Sequence, residues 1–188
     1  MLDAFFVSTS VVALAEMGDK TQLLSLVLAG RFLRPIPIIT GIFLATVLNH
    51  AAAGFLGQLI GGSLNPLWLK WGLVVSFWAI AAWVLVPDKC EDDACPFRTY
   101  GAFVTSLISF FLAEMGDKTQ VATVALAMRY QDLFSVVMGT TLGMLLANVP
   151  VVFLGNAMAH RLPLRLIRFM AAGIFFVMGA LVAFGLHE

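Results

Sequence analysis

The sequence predicts an all-α integral membrane protein, with six transmembrane helices arranged as two inverted three-helix repeats. Three observations predict it. The 188 residues are 61% hydrophobic and only 12% charged, with a mean hydropathy of +0.96. A soluble domain carries about 25% charged residues, so this chain has too little charge to cover a water-facing surface. The apolar residues fall into continuous runs, and a helix needs about 20 such residues to cross a bilayer. Finally, an octapeptide recurs unchanged at an offset of 98.

Six helices follow in order, at 4–30, 36–60, 67–86, 99–128, 133–158 and 163–186. The first is apolar except for one charged cluster at its middle. Residues 31–35 join it to the second, which ends at the turn-forming Gly61-Gly62-Ser63-Leu64-Asn65-Pro66. The third starts beside Lys70. The fourth repeats the pattern of the first, with its own central cluster. The last two come from the charge-free runs 133–160 and 169–187. The runs are rich in Leu, Val, Ala and Phe and do not alternate, which excludes a membrane β-barrel. The chain divides into a first repeat, 1–87, an acidic cytoplasmic loop, 88–98, and a second repeat, 99–188. Residues 1–6 lack the basic start and small-residue cleavage site of a signal peptide, so the first segment is expected to remain as a span.

Lysine and arginine set the orientation. Lys70 and Arg129 fall on the side of the termini; Arg31, Arg34, Lys89, Arg98, Arg161, Arg165 and Arg168 fall on the other. The second group belongs in the cytoplasm, which places both termini outside. Lys plus Arg equals Asp plus Glu, 11 each, so no basic bias points to nucleic acid. Two cysteines exclude a disulfide scaffold.

The repeat carries the chemistry. Ala15-Glu16-Met17-Gly18-Asp19-Lys20-Thr21-Gln22 returns as Ala113-Glu114-Met115-Gly116-Asp117-Lys118-Thr119-Gln120. The offset continues without gaps: Gly41 matches Gly139, Phe55-Leu56-Gly57 matches Phe153-Leu154-Gly155, and Phe77 matches Phe175. Three helices is an odd number, so the second copy enters the membrane from the opposite side. Inverted repeats of this kind build secondary transporters with a midplane substrate site. Glu16 lies about 18 Å into its span, near the centre of a ~30 Å apolar core. Ionisable groups there are functional by default. On a continuous helix Glu16, Asp19 and Lys20 share one face; Gly18 and Gly116 allow close backbone approach or a local break.

Charge arithmetic points to a divalent cation. Glu16, Asp19, Glu114 and Asp117 carry four negative charges, and Lys20 and Lys118 return two. Thr21, Gln22, Thr119 and Gln120 add neutral oxygens. Oxygen donors select Ca²⁺, Mg²⁺ or Mn²⁺, whereas zinc and copper favour the Cys and His that these spans lack, His50 excepted. Asn49, His50 and Asn148 lie mid-span and either add ligands, steer protons or bond between helices. Glu–Lys pairs also staple helices together, but two such clusters with surplus carboxylate make poor staples. Cys90 and Cys95 stand among Asp88, Glu91, Asp92 and Asp93, where a solvated loop with reduced thiols competes with a metal-collecting site. The three arginines 161, 165 and 168 suit anionic headgroups.

At its paired Glu-Met-Gly-Asp-Lys-Thr segments the chain resembles a small manganese/calcium transporter family with two E-x-G-D-[KR]-[TS] motifs. That family includes Golgi manganese/calcium–proton exchangers of eukaryotes and manganese exporters of bacteria. Glu16, Gly18, Asp19, Lys20 and Thr21 match one motif, and Glu114, Gly116, Asp117, Lys118 and Thr119 the other. The resemblance implies that the four acids act in moving Mn²⁺ or Ca²⁺ out of the cytosol. It also implies a bacterial inner-membrane manganese exporter, not an enzyme, with the metal as substrate and no resident cofactor. Protons, or Na⁺, are the expected counter-ion. The competing classes are a cation channel, disfavoured by the two lysines, an exporter of organic cations or amino acids, and a thiol electron carrier, which would need cysteines within its spans.

Overall fold

The computed structural model describes residues 2–86, 101–154 and 164–184. These form eight α-helices and no strand: α1 (Leu2–Glu16), α2 (Lys20–Phe32), α3 (Pro35–Ser63), α4 (Pro66–Val84), α5 (Ala102–Glu114), α6 (Lys118–Tyr130), α7 (Leu133–Leu154) and α8 (Leu164–Phe184). Among them α3, α4 and residues Leu133–Phe153 of α7 are long and apolar enough to cross a membrane. Two expected helices are corrected. Residues 4–30 and 99–128 are not continuous spans; each is two helices that meet at its charged cluster, at 17–19 and 115–117. A third correction is at α3, which runs through Gly61 and Gly62 to Ser63 instead of turning there. The acidic loop with Cys90 and Cys95 lies outside the described residues, as do Lys89, Arg98, Arg161 and the side chains of Arg165 and Arg168.

Local chemistry fixes the helix starts. Pro35 and Pro66 stand at first-turn positions of α3 and α4, where a missing N–H costs nothing. The Asn65 side chain accepts from Leu67 N at 2.9 Å, and Asp132 accepts from Ser135 N at 3.1 Å ahead of α7. Both satisfy amides that the helix leaves open.

Packing repeats at the sequence offset. α7 lies on α1 and α3 lies on α5. At the first crossing Gly139 faces the Phe5 carbonyl; at the second its counterpart Gly41 faces the Phe103 carbonyl. Small residues let backbones approach this closely, which is how helices associate where lipid removes the hydrophobic drive. A Cβ at Gly139 would stand 2.5 Å from the Phe5 oxygen, and one at Gly41 would stand 2.8 Å from the Phe103 oxygen. Gly139→Ala and Gly41→Ala should therefore each destabilise by about 1–3 kcal/mol. Gly72→Ala, whose Cβ would meet nothing within 4 Å, should not. Thermal unfolding in detergent measures all three, and equal melting temperatures would refute the tight crossings.

α4 pairs with α8. The Phe77 and Phe175 rings lie 6.4 Å apart, and Trp78 stacks on Phe176 at 5.7 Å. The Trp78 indole donates to the Phe176 carbonyl at 3.3 Å, across 98 residues. Each contact thus joins a residue to its own counterpart in the other repeat.

Two apolar clusters flank the charged breaks. One draws Val11 and Ala15 of α1, Phe77 and Ile80 of α4, Leu126 of α6 and Phe175 of α8 together. The other holds Leu24 and Leu28 of α2, Ile38 and Ile42 of α3 and Phe110 of α5. α4 and α8 both contribute to the first cluster, so the two ends of the molecule are not equally covered.

Candidate metal centre

Each octapeptide ends one helix and begins the next. Gly18 and Gly116 take φ of +82° and +77°, the left-handed region that glycine enters without steric penalty. The helix is interrupted there by a turn of three residues, with Asp19 N donating to the Glu16 carbonyl at 3.1 Å and Asp117 N to the Glu114 carbonyl at 3.2 Å. Glu16 and Glu114 are consequently the last residues of α1 and α5, while Asp19 and Asp117 are the N-caps of α2 and α6. The shared helical face expected of Glu16, Asp19 and Lys20 does not exist, because the break at Gly18 re-aims everything after it.

The glutamines and threonines hold this geometry. Gly18 N donates to Gln22 Oε1 at 2.9 Å, and Gly116 N to Gln120 Oε1 at 2.8 Å. The Thr21 hydroxyl donates to Glu16 Oε2 at 2.5 Å, and the Thr119 hydroxyl to Glu114 Oε2 at 2.8 Å. Each glutamate is thereby pinned through one oxygen. The other oxygen, Oε1 in both, is buried with no hydrogen-bond partner. A buried carboxylate oxygen left open in this way is costly unless something occupies it.

The aspartates and lysines pair across the repeats. Lys20 Nζ lies 3.3 Å from Asp117 Oδ1, and Lys118 Nζ lies 3.0 Å from Asp19 Oδ2. Four of the six charges cancel by this exchange. Glu16 and Glu114, both at 0% exposure, are the two acids left without a lysine. One carboxylate oxygen from each of Glu16, Asp19 and Asp117 lies within 4.8 Å of the others. Glu114 stands outside that triangle. The C-terminal ends of α1 and α5 add carbonyl dipoles that favour a cation.

The remaining expected residues fall around this centre. The Gln22 amide donates to the Ala147 carbonyl at 2.9 Å, tying α2 to α7. The Asn49 amide donates to the Phe111 carbonyl at 3.0 Å. Asn148 accepts from Ser25 at 2.9 Å and donates to the Met144 carbonyl at 3.1 Å. His50 is fully buried, and neither ring nitrogen has a hydrogen-bond partner. Ser25 was not anticipated; its mid-helix position on an otherwise apolar segment, opposite a mid-span Asn, was the available signal. Ser8 and Ser106 were also missed, although they lie 98 apart, and each packs beside a crossing glycine of the other repeat.

The two halves of the site differ in cover. Lys20 is 30% exposed, whereas its counterpart Lys118 is 4% exposed. α6 is overlaid by α3 and α4, and α1 by α7 and α8. On the other side Val27 of α2, Leu112 of α5 and Met115 just past the end of α5 are exposed.

The chain is thus a helical membrane protein that brings four acids and two lysines to paired helix breaks. The chain belongs to the family described as "Divalent cation/proton antiporter GDT1", which matches residues 4–92 and 102–187. It is 54% identical over 98% of its length to a Vibrio cholerae protein named "Putative manganese exporter", covering 92% of that protein. It is 26% identical to "GDT1-like protein 3" of rice, over 93% of this chain and 71% of the relative. A GDT1-like protein of Synechocystis is also 26% identical, over 97% of both chains. No solved structure matches it. The family is one of cation transporters, and the resemblance read from the two motifs holds.

Proposed function

We propose that the protein exports Mn²⁺ from the bacterial cytoplasm in exchange for protons, through one site formed by both motifs. The carrying observation is the triangle of Glu16, Asp19 and Asp117 inside apolar helices, with Glu16 and, beyond the triangle, Glu114 left without a lysine. One divalent ion neutralises it. Glu16, Asp19 and Asp117 supply hard oxygen ligands, suited to Mn²⁺ or Ca²⁺. Glu114 completes the set when the repeats exchange roles. The family's description and the Vibrio relative's name favour manganese and protons over calcium and Na⁺.

The chain is read as six spans in two inverted repeats, 1–87 and 99–188. α1 with α2, and α5 with α6, form two broken spans whose half-helices meet at the midplane. Pairing of Phe77 with Phe175 and of Trp78 with Phe176, each 98 residues from its partner, supports a pseudo-two-fold axis between α4 and α8. Both termini face outward, across the inner membrane. The site opens towards the α2–α5 side, which carries Arg31 and Arg34 and is cytoplasmic in this orientation. The apolar cluster of α1, α4, α6 and α8 closes the other side. Export follows when the repeats swap conformations, sealing α2 and α5 and uncovering Lys118.

Proton coupling follows from the ligands. A carboxylate coordinates metal only when deprotonated, so metal and protons compete for the site. Lowering pH adds protons to the empty site and weakens Mn²⁺ binding, by up to about tenfold per pH unit for each proton displaced. Proteoliposomes with a trapped pH dye test this directly. Mn²⁺ addition should drive proton movement in the opposite direction, with apparent affinity falling as pH is lowered. Mn²⁺ flux that moves no protons and ignores pH would refute the exchange.

A further inference from the structure

A cavity of about 780 Å³ lies at the end of the molecule opposite α2 and α5, away from the metal centre. It opens between the first turn of α1, the first two turns of α4, the end of α6 and the end of α8. Its walls include Val7, Leu69, Leu73 and Val182, which belong to the apolar cluster of that end or pack against it. Its polar groups are Lys70, Arg129, Tyr130 and Asp3. Two cations against one carboxylate leave a net charge of +1. Arg129 stacks over the Tyr130 ring at 5.4 Å, while its Nη1 is buried with no hydrogen-bond partner. A guanidinium cannot lose its charge, so a donor held this way calls for an acceptor.

Two positive side chains rule this cavity out as an exit for Mn²⁺, since they repel a divalent cation. They suit an anion. The apolar walls continue from the charged groups into the helix bundle, so the occupant has an apolar part as well. Trp68 and Trp71 stand exposed on the same turns of α4, at the level where tryptophan marks the membrane–water boundary. We propose that the cavity binds an anionic phospholipid, with its phosphate on Lys70 and Arg129 and one acyl chain along Val7, Leu69 and Val182. A single phosphodiester matches the charge of +1, and basic pockets between membrane helices are a recognised form of headgroup site. The lipid would bridge α1, α4, α6 and α8, the helices that close this end.

Native mass spectrometry of the detergent-purified protein tests it, with phosphatidylglycerol and phosphatidylcholine of matched acyl chains. The wild type should retain phosphatidylglycerol with a preference of roughly tenfold, and Lys70→Gln with Arg129→Gln should bring the two lipids to parity. Asp3→Asn removes the opposing carboxylate and should strengthen the preference; this variant keeps the proposal testable if the double variant fails to fold. Parity in the wild type, an unchanged preference in the double variant, or weaker phosphatidylglycerol binding in Asp3→Asn would each overturn it. Inorganic phosphate in large excess separates headgroup from lipid. If it displaces phosphatidylglycerol completely, the cavity is a site for free phosphate and the lipid proposal fails.

Discussion

Glu16→Gln should abolish Mn²⁺ transport while the protein still folds. The substitution keeps the side chain's shape, and the amide oxygen can still accept from Thr21, which pins Glu16 at 2.5 Å. What it removes is charge. With Asp19 and Asp117 already paired to lysines, Glu16 and Glu114 are the two acids that the salt bridges leave free to meet the charge of a bound ion. Losing an outer-shell partner of a metal ligand typically weakens binding 10–100-fold. Losing a ligand's charge should weaken it by about 100-fold or more. Glu114→Gln should differ in an informative way. Glu114 lies outside the triangle of Glu16, Asp19 and Asp117, so this variant should keep more of its Mn²⁺ binding. It should still lose flux, because the exchanged conformation puts Glu114 where Glu16 now stands. Mn²⁺ titration of the purified variants and flux into proteoliposomes separate the two readouts. Normal flux in both would remove the proposed site.

The lesson about legibility lies in the breaks. Helix starts at Pro35 and Pro66 were legible, because proline at a first-turn position acts locally. So was the duplication, which needs only the identity of residues 98 apart. The end of α3 was not. Gly61-Gly62 reads as a turn, yet Gly61 stands where any Cβ would crowd the Met128 carbonyl of α6, and a close helix crossing selects glycine as strongly as a turn does. The interruption at Gly18 met the same ambiguity from the other direction, since sequence alone does not separate a packing glycine from one at positive φ. The pairing of charges depended on that choice. On an unbroken helix Lys20 points along the face of Glu16, four residues away. Across the break it reaches Asp117 of the other repeat instead. The four acids and two lysines were therefore identifiable, but their partners were not. Nor was the unequal cover of the halves, because identical octapeptides end 30% and 4% exposed at their lysines. That difference comes from neighbours such as exposed Val27 against its buried counterpart Ala125.

The unequal cover makes the second large prediction. Lys118→Met should destabilise the protein far more than Lys20→Met, although the two lysines occupy identical sequences. Lys118 and Asp19 are both buried, so removing the ammonium breaks a salt bridge in surroundings that screen little. Breaking a buried pair from one side typically costs about 3–5 kcal/mol. Lys20 is partly open, so solvent replaces much of what it gives Asp117, and the loss should stay near 1 kcal/mol or below. For a chain of this size the first corresponds to a fall in melting temperature of about 10 °C, and the second to a few degrees. Adding Asp19→Asn to Lys118→Met should restore most of the loss, because the stranded charge goes with it. Simple removal of packing would give no such rescue. Mn²⁺ should also narrow the gap, since a divalent ion beside Glu16 and Asp19 replaces the missing positive charge. Equal melting temperatures for the two single variants would mean that both ends of the site are shielded alike. The one-sided opening towards α2 and α5 would then have no basis, and with it the direction assigned to the transport cycle.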